Sequence, residues 1–174
     1  MTDDERTAAL VKECRRQFES CLYTSAALYL WQKRARWWRA LFLIAPIVLG
    51  GFASSQILTQ FGGQLAMVVA AFAGLLAGFF PAIYTALDMD MRVVEIGRAA
   101  AEYTNLRDRF RQAAEVKSLA SFEEFQEAFE GLMDRMDAAR SSSPAAPEAY
   151  FRRAQRKVKL GDYEFEVETE PRAP

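Results

Sequence analysis

The chain has 174 residues, with 22 Lys and Arg against 23 Asp and Glu and no histidine. A net charge of −1 excludes a polycationic nucleic-acid arm, and the missing histidine removes the commonest general base and the commonest metal ligand. With no Cys-rich cluster, no Ser-His-Asp set and no Gly-rich phosphate loop, no catalytic residue, metal site or cofactor is expected, and the enzyme class is set aside.

The composition is split. Residues 1–39 carry eight basic and five acidic side chains, residues 88–174 carry fourteen and eighteen, and residues 40–87 carry none of either sign. From Thr7 to about Trp31, Val11, Cys14, Phe18, Cys21 and Leu28 keep a seven-residue spacing interrupted by the polar Ser25. That spacing predicts an amphipathic helix with one packing stripe. Cys14 and Cys21 are about 10 Å apart by helical rise, too far to bridge each other. Plain buried thiols are expected of them.

Trp31 to Arg39 interleaves three tryptophans with basic residues. Trp31, Trp37 and Trp38 suit the headgroup level of a bilayer, and Lys33, Arg34, Arg36 and Arg39 suit anionic lipid. This run therefore reads as a membrane-interface anchor rather than a nucleic-acid surface. Because the first apolar arm begins about forty residues into the chain, behind a charged helix and with no small-residue cleavage pattern close after it, a removable signal peptide is not expected.

The uncharged stretch is long enough to cross about 30 Å of hydrocarbon twice. Two arms are expected, 40–58 and 65–87, joined by a turn at 59–64. A helix satisfies its own backbone inside lipid, so the arms read as a helical transmembrane hairpin. Basic residues lie in both flanks and none in the turn, which places both termini in the cytoplasm.

Small residues recur every four positions along the second arm: Ala66, Ala70, Gly74, Gly78, Ala82 and Ala86. Gly50 and Ser54 give the first arm a shorter counterpart, starting from Pro46. Such ridges let helix backbones approach closely, between the two arms or between copies of the chain. Pro46 and Pro81 sit at matching depths, about six residues (~9 Å) from the cytoplasmic ends. They are candidate hinges or static kinks. The polar residues Ser54, Ser55, Gln56, Thr59, Gln60 and Gln64 gather at the outer end. Gln56 and Thr59 there, and Asp88 and Asp90 at the cytoplasmic end, are candidates for a pore mouth; facing water is the plainer reading of Gln60 and Gln64, and a solvated helix end that of Asp88 and Asp90. No ionisable residue lies inside an arm, unlike the usual proton relay.

The second arm is expected to continue into a cytoplasmic helix with Ile96, Ala99, Tyr103, Leu106, Phe110 and Ala113 on one stripe. Another helix begins at Ser121, three residues before Glu124 in a capping-box arrangement, and carries Phe122, Phe125, Phe129, Leu132 and Met136. The helices on both sides of the membrane stretch are expected to form one bundle. Residues 88–140 hold these cytoplasmic helices, 141–147 read as a Ser/Pro/Ala linker, and 148–174 as a short helix followed by a tail. A turn at Gly161-Asp162 pairs Leu160 with Tyr163, Lys159 with Glu164, Val158 with Phe165 and Lys157 with Glu166. A short β-hairpin is thus possible at the end of an otherwise all-α membrane protein.

The order of cytoplasmic helix, Lys/Arg/Trp run, uncharged two-helix stretch and a helix reading Ala99-Ala-Ala-Glu102-Tyr103-Thr-Asn-Leu106-Arg107 resembles the SLATT family over about Val11 to Ala114. The resemblance implies a two-transmembrane effector of a bacterial antiphage, abortive-infection system. It implies a homo-oligomer that forms a pore in the inner membrane when a sensor partner or a nucleotide signals. Membrane lipid, further copies of the chain and a cytoplasmic signalling partner are the partners this expects, and nucleic acid is not. From another class, a non-conducting anchor that recruits a soluble partner through its cytoplasmic helices fits the same architecture.

Overall fold

The computed structural model describes residues 2–53 and 63–162. Among them there are five α-helices: α1 (Asp3–Ala53), α2 (Gly63–Ala86), α3 (Met89–Glu115), α4 (Phe122–Ser142) and α5 (Glu148–Lys159). A 3-10 turn at Lys117–Leu119 joins α3 to α4, and no described residue is in a strand. Two of the helices, α1 and the Ala66–Ala86 part of α2, contain segments long and apolar enough to cross a membrane.

α1 runs for 51 residues without a break, so the N-terminal stripe, the Trp/basic run and the start of the first apolar arm share one helix. Its first turn carries Asp3, Asp4 and Glu5, which favour the positive end of the helix dipole. Pro46 and Pro81 both lie within continuous helix.

The expected continuation of α2 into the next helix is not what forms. The chain turns at Leu87–Asp88, where Asp88 has φ +46°. Its N–H still donates to the Thr85 carbonyl at 3.1 Å, and its own carbonyl accepts from the Arg92 N–H at 3.1 Å, so little backbone pairing is lost. Asp tolerates the left-handed region better than most residues, which lets it end one helix and start another without glycine.

α4 begins as its sequence dictates, with the Ser121 hydroxyl accepting from the Glu124 N–H at 3.4 Å. It also keeps Ser141 and Ser142, which composition assigned to the linker. Both hydroxyls donate to the Ala138 carbonyl, at 2.9 and 2.8 Å, so the serines cap the turn they extend. The β-hairpin needs correcting. Lys157, Val158 and Lys159 are helical, because Ala154 one turn earlier packs against Ala26 and Ala27 of α1 while an isolated hairpin is marginal, and Lys157 pairs with Asp162 at 2.9 Å. The residues expected to form the second strand, from Tyr163 on, lie outside the described residues.

Two compact units result, one from the chain up to Gln32 together with the chain from Glu95, the other Lys33–Val94. The first is a helical bundle with a core. Cys14, Cys21, Ser25 and Leu28 are buried on the α1 stripe, and all six expected positions of α3 are buried. Phe125, Met136 and Ala139 contribute from α4, while Ala154 of α5 closes against Ala26 and Ala27. Phe110 meets Phe129 at 6.3 Å and Glu102 meets Arg135, so α3 and α4 run antiparallel. The Cys21 thiol reaches the Met136 sulfur at 3.7 Å.

The second unit is built the opposite way. Among its described side chains only Ala73 and Val93 are buried. Its large apolar groups point outward, with Ile47 75%, Met67 68% and Phe72 61% exposed.

Candidate functional site

The sequence places its candidate residues almost entirely in the Lys33–Val94 unit. There α1 and α2 meet through pairs taken in opposite chain order. The Ala53 Cβ lies against Gly74, Phe42 packs on Phe80 with ring centroids 5.2 Å apart, and Arg39 donates to the Tyr84 hydroxyl at 3.4 Å. Arg39 also reaches the Asp90 carboxylate at 2.6 Å. One arginine thus ties the end of the basic run to α2 and to the first turn of α3. Asp90, a candidate mouth residue, has its charge taken up by Arg39, whereas Asp88 stands exposed in the turn.

The aromatic anchor forms a ladder. Arg34 stacks over Trp37 and Trp38 at 4.7 and 5.3 Å, the two indoles meet edge-on at 5.2 Å, and Trp38 continues to Phe42 at 6.3 Å. Trp37 and Trp38 are exposed. Trp31 is half-buried and belongs to the bundle unit, so the run divides at Gln32.

The small-residue ridge also divides, for a geometric reason. Steps of four residues on a helix of 3.6 residues per turn rotate by about 40° each, so six such positions wind about 200° around the axis. The positions of α2 that are half-buried or buried are Ala66, Ala70, Ala73, Ala77, Phe80 and Tyr84. These follow a seven-residue repeat, which drifts only about 20° per repeat and stays on one side. Ala66 and Ala70 therefore share the α1-facing stripe, and Gly74 sits at its edge. Gly78, Ala82 and Ala86 are exposed, and nothing lies within 4 Å of a Cβ placed at Gly78. Pro46 and Gly50 are half-buried on α1, Pro81 is exposed on α2, and the Pro81 carbonyl accepts from the Thr85 hydroxyl at 3.0 Å. Gln64 is exposed. Ser54, Ser55, Gln56, Thr59 and Gln60 lie outside the described residues.

The described residues of the bundle unit include several ionisable groups held by burial or by ion pairs. Among the described residues no three His, Cys, Asp or Glu side chains gather to hold a metal ion. Burial pushes the Cys14 thiol up to about 11 and the Cys21 thiol up to about 12, which keeps both protonated and unreactive. Arg135 grips Glu102 with two bonds, at 2.6 and 3.0 Å, and holds its carboxyl below the usual range. The Tyr103 hydroxyl is raised by burial. One surface groove runs between Arg15, Glu19, Arg111 and Glu115, whose charges offset one another, and another runs between Glu95, Arg98 and Glu102, where acidic residues outnumber the single arginine.

Two features escaped the sequence reading. The Arg39 clasp needed knowledge that the chain turns at Asp88, which brings Tyr84 and Asp90 to one arginine. The basic stripe of α5 was legible, since Arg152, Arg156 and Lys159 fall at i, i+4 and i+7.

Comparison with protein families, with curated proteins and with solved structures finds no match to this chain.

Proposed function

We propose that this chain crosses the bacterial inner membrane twice as a helical hairpin with both termini cytoplasmic. Copies assemble through the hairpin into a pore that opens on a partner's or nucleotide's signal in an antiphage response. One observation carries the membrane reading: the unit that lacks charge from residue 40 to 87 turns its large apolar side chains outward instead of burying them. Each such side chain left in water forgoes roughly 1.5–3 kcal/mol, which lipid restores. The 24 residues of α2 span about 36 Å, a little more than the hydrocarbon thickness. Conduction and the defence role draw on the resemblance to the SLATT family, whereas self-assembly draws on the open Gly78, Ala82 and Ala86 positions, where a second backbone has room to approach.

Leakage of dye from vesicles carrying the full chain tests this reading. Gly78→Leu fills an open position without touching α1, so it should leave insertion intact while lowering leakage and the cross-linked oligomer together. Unchanged leakage in Gly78→Leu removes the ridge from the assembly. A chain that inserts, stays monomeric and never leaks is the non-conducting anchor.

A further inference from the structure

α5 carries five basic residues and one acidic residue in twelve positions. Its buried side is centred on Ala154, flanked by the half-buried Tyr150 and Val158. Arg152, Arg156 and Lys159 stand on the opposite side, all exposed, with Arg153 exposed beside them. Helix-dipole compensation accounts for basic residues in the last turn but not for Arg152 and Arg153, which lie nearer the other end. Of the neighbouring acids, Glu148 pairs with Arg152 at 3.4 Å and Asp162 with Lys157 at 2.9 Å. Neither lies against Arg156 or Lys159, and no ion pair to those two is formed among the described residues.

We infer that this stripe docks on anionic lipid headgroups of the membrane that the chain itself enters. The inference rests on the membrane reading above. Charge complementarity favours an anionic surface, and the bundle unit is joined at both Gln32 and Glu95 to the apolar unit, so that surface is present at high effective concentration. Leu160, 74% exposed directly after Lys159, supplies the apolar foot that an interfacial helix buries. A nucleic acid fits less well. Binding to single strands uses free aromatic faces, and here Tyr150 lies under Arg153 while Phe151 packs on Tyr23 at 6.4 Å.

The test uses the full chain with Gln155→Cys labelled by a donor fluorophore; Gln155 is exposed and the native thiols are buried. The protein is reconstituted into vesicles with a headgroup acceptor, of phosphatidylcholine alone or mixed with phosphatidylglycerol. Energy transfer should be higher in the anionic vesicles and should fall as salt is raised, because each basic residue contributes about five-fold in surface occupancy at low salt. The combined Arg152→Glu, Arg156→Glu and Lys159→Glu variant should lose the difference between vesicles. Arg152→Lys with Arg156→Lys should keep it, which separates charge from folding. Equal transfer in both vesicle types at low salt overturns the inference, whether the stripe is then empty or covered by the acidic residues after Asp162. So does a charge-reversed variant that keeps the lipid dependence, or an oligonucleotide bound through these residues in detergent with no lipid effect. Flotation keeps the two readings apart: a chain that does not float with vesicles overturns the membrane reading, whereas one that floats without lipid dependence overturns only this one.

Discussion

Gly97 offers a sharp test of how closely the bundle is packed. A Cβ built at this position falls directly on the carboxamide end of the buried Gln32 side chain, so an alanine here requires that side chain to shift within the packed seam between α1 and α3. Gly97→Ala should gain about 1 kcal/mol from helix propensity and lose roughly 1–3 kcal/mol from overpacking. The expected net is a destabilisation of up to about 2 kcal/mol, or several degrees in melting temperature for a chain of this size. In a Gln32→Ala background the obstruction is gone, so the same substitution should stabilise by about 1 kcal/mol. Gly131 of α4, with nothing within 4 Å, is the control and should gain a similar amount when changed to Ala. Thermal melts of the four-member cycle in mild detergent, followed by circular dichroism, measure the coupling. A coupling below about 0.5 kcal/mol, with Gly97→Ala as stabilising as Gly131→Ala, would refute the reasoning by showing that the Gln32 side chain moves aside without cost.

Three further outcomes follow from the same bundle. Phe125 is fully buried, so Phe125→Ala should cost about 3–5 kcal/mol and lower the melting temperature more than any exposed substitution on α4. Glu102 has its folded pKa depressed, chiefly by the hydrogen bonds from Arg135, so its contribution is full above the unfolded value near 4.5 and is lost as pH falls through the folded one. Both partners are about one-third exposed, which limits the effect to below about 1 kcal/mol; Glu102→Gln should melt lower than the parent at pH 7, with the gap closing in acid, and a gap independent of pH would contradict the pairing. Burial raises Cys14 to about 11 and Cys21 to about 12, so iodoacetamide at pH 8 should label the native thiols at least about a hundred-fold more slowly than the denatured ones. Comparable rates by mass spectrometry would show that the core is open.

The helical periods were the most legible part of the chain. Every expected stripe residue of α3 is buried, and Ser121 caps α4, because apolar spacing and a capping hydroxyl act locally. Boundaries were less legible. Asp88 ends α2 through a backbone state that Asp tolerates but does not announce, and Ser141 and Ser142 hold to α4 through hydroxyl bonds that composition cannot anticipate. The tail pairing failed for a different reason. Lys157, Val158 and Lys159 satisfy a strand alternation and a helical face equally well, and only the packing of Ala154 on α1 decides between them. The small-residue ridge is legible as a spacing of four, whereas the side it presents depends on where α1 lies, which the spacing alone does not carry.

The winding of that ridge about the helix gives α2 two seams at different heights. Near its start the small side chains of Ala66, Ala70 and Ala73 are spent within the chain; further along, Gly78, Ala82 and Ala86 are left over. A neighbour that takes the second seam does not have to evict α1 from the first. In the assembly proposed above, association would thereby be uncoupled from the internal fold, and a subunit would join or leave as a finished piece rather than one that must open to be accepted.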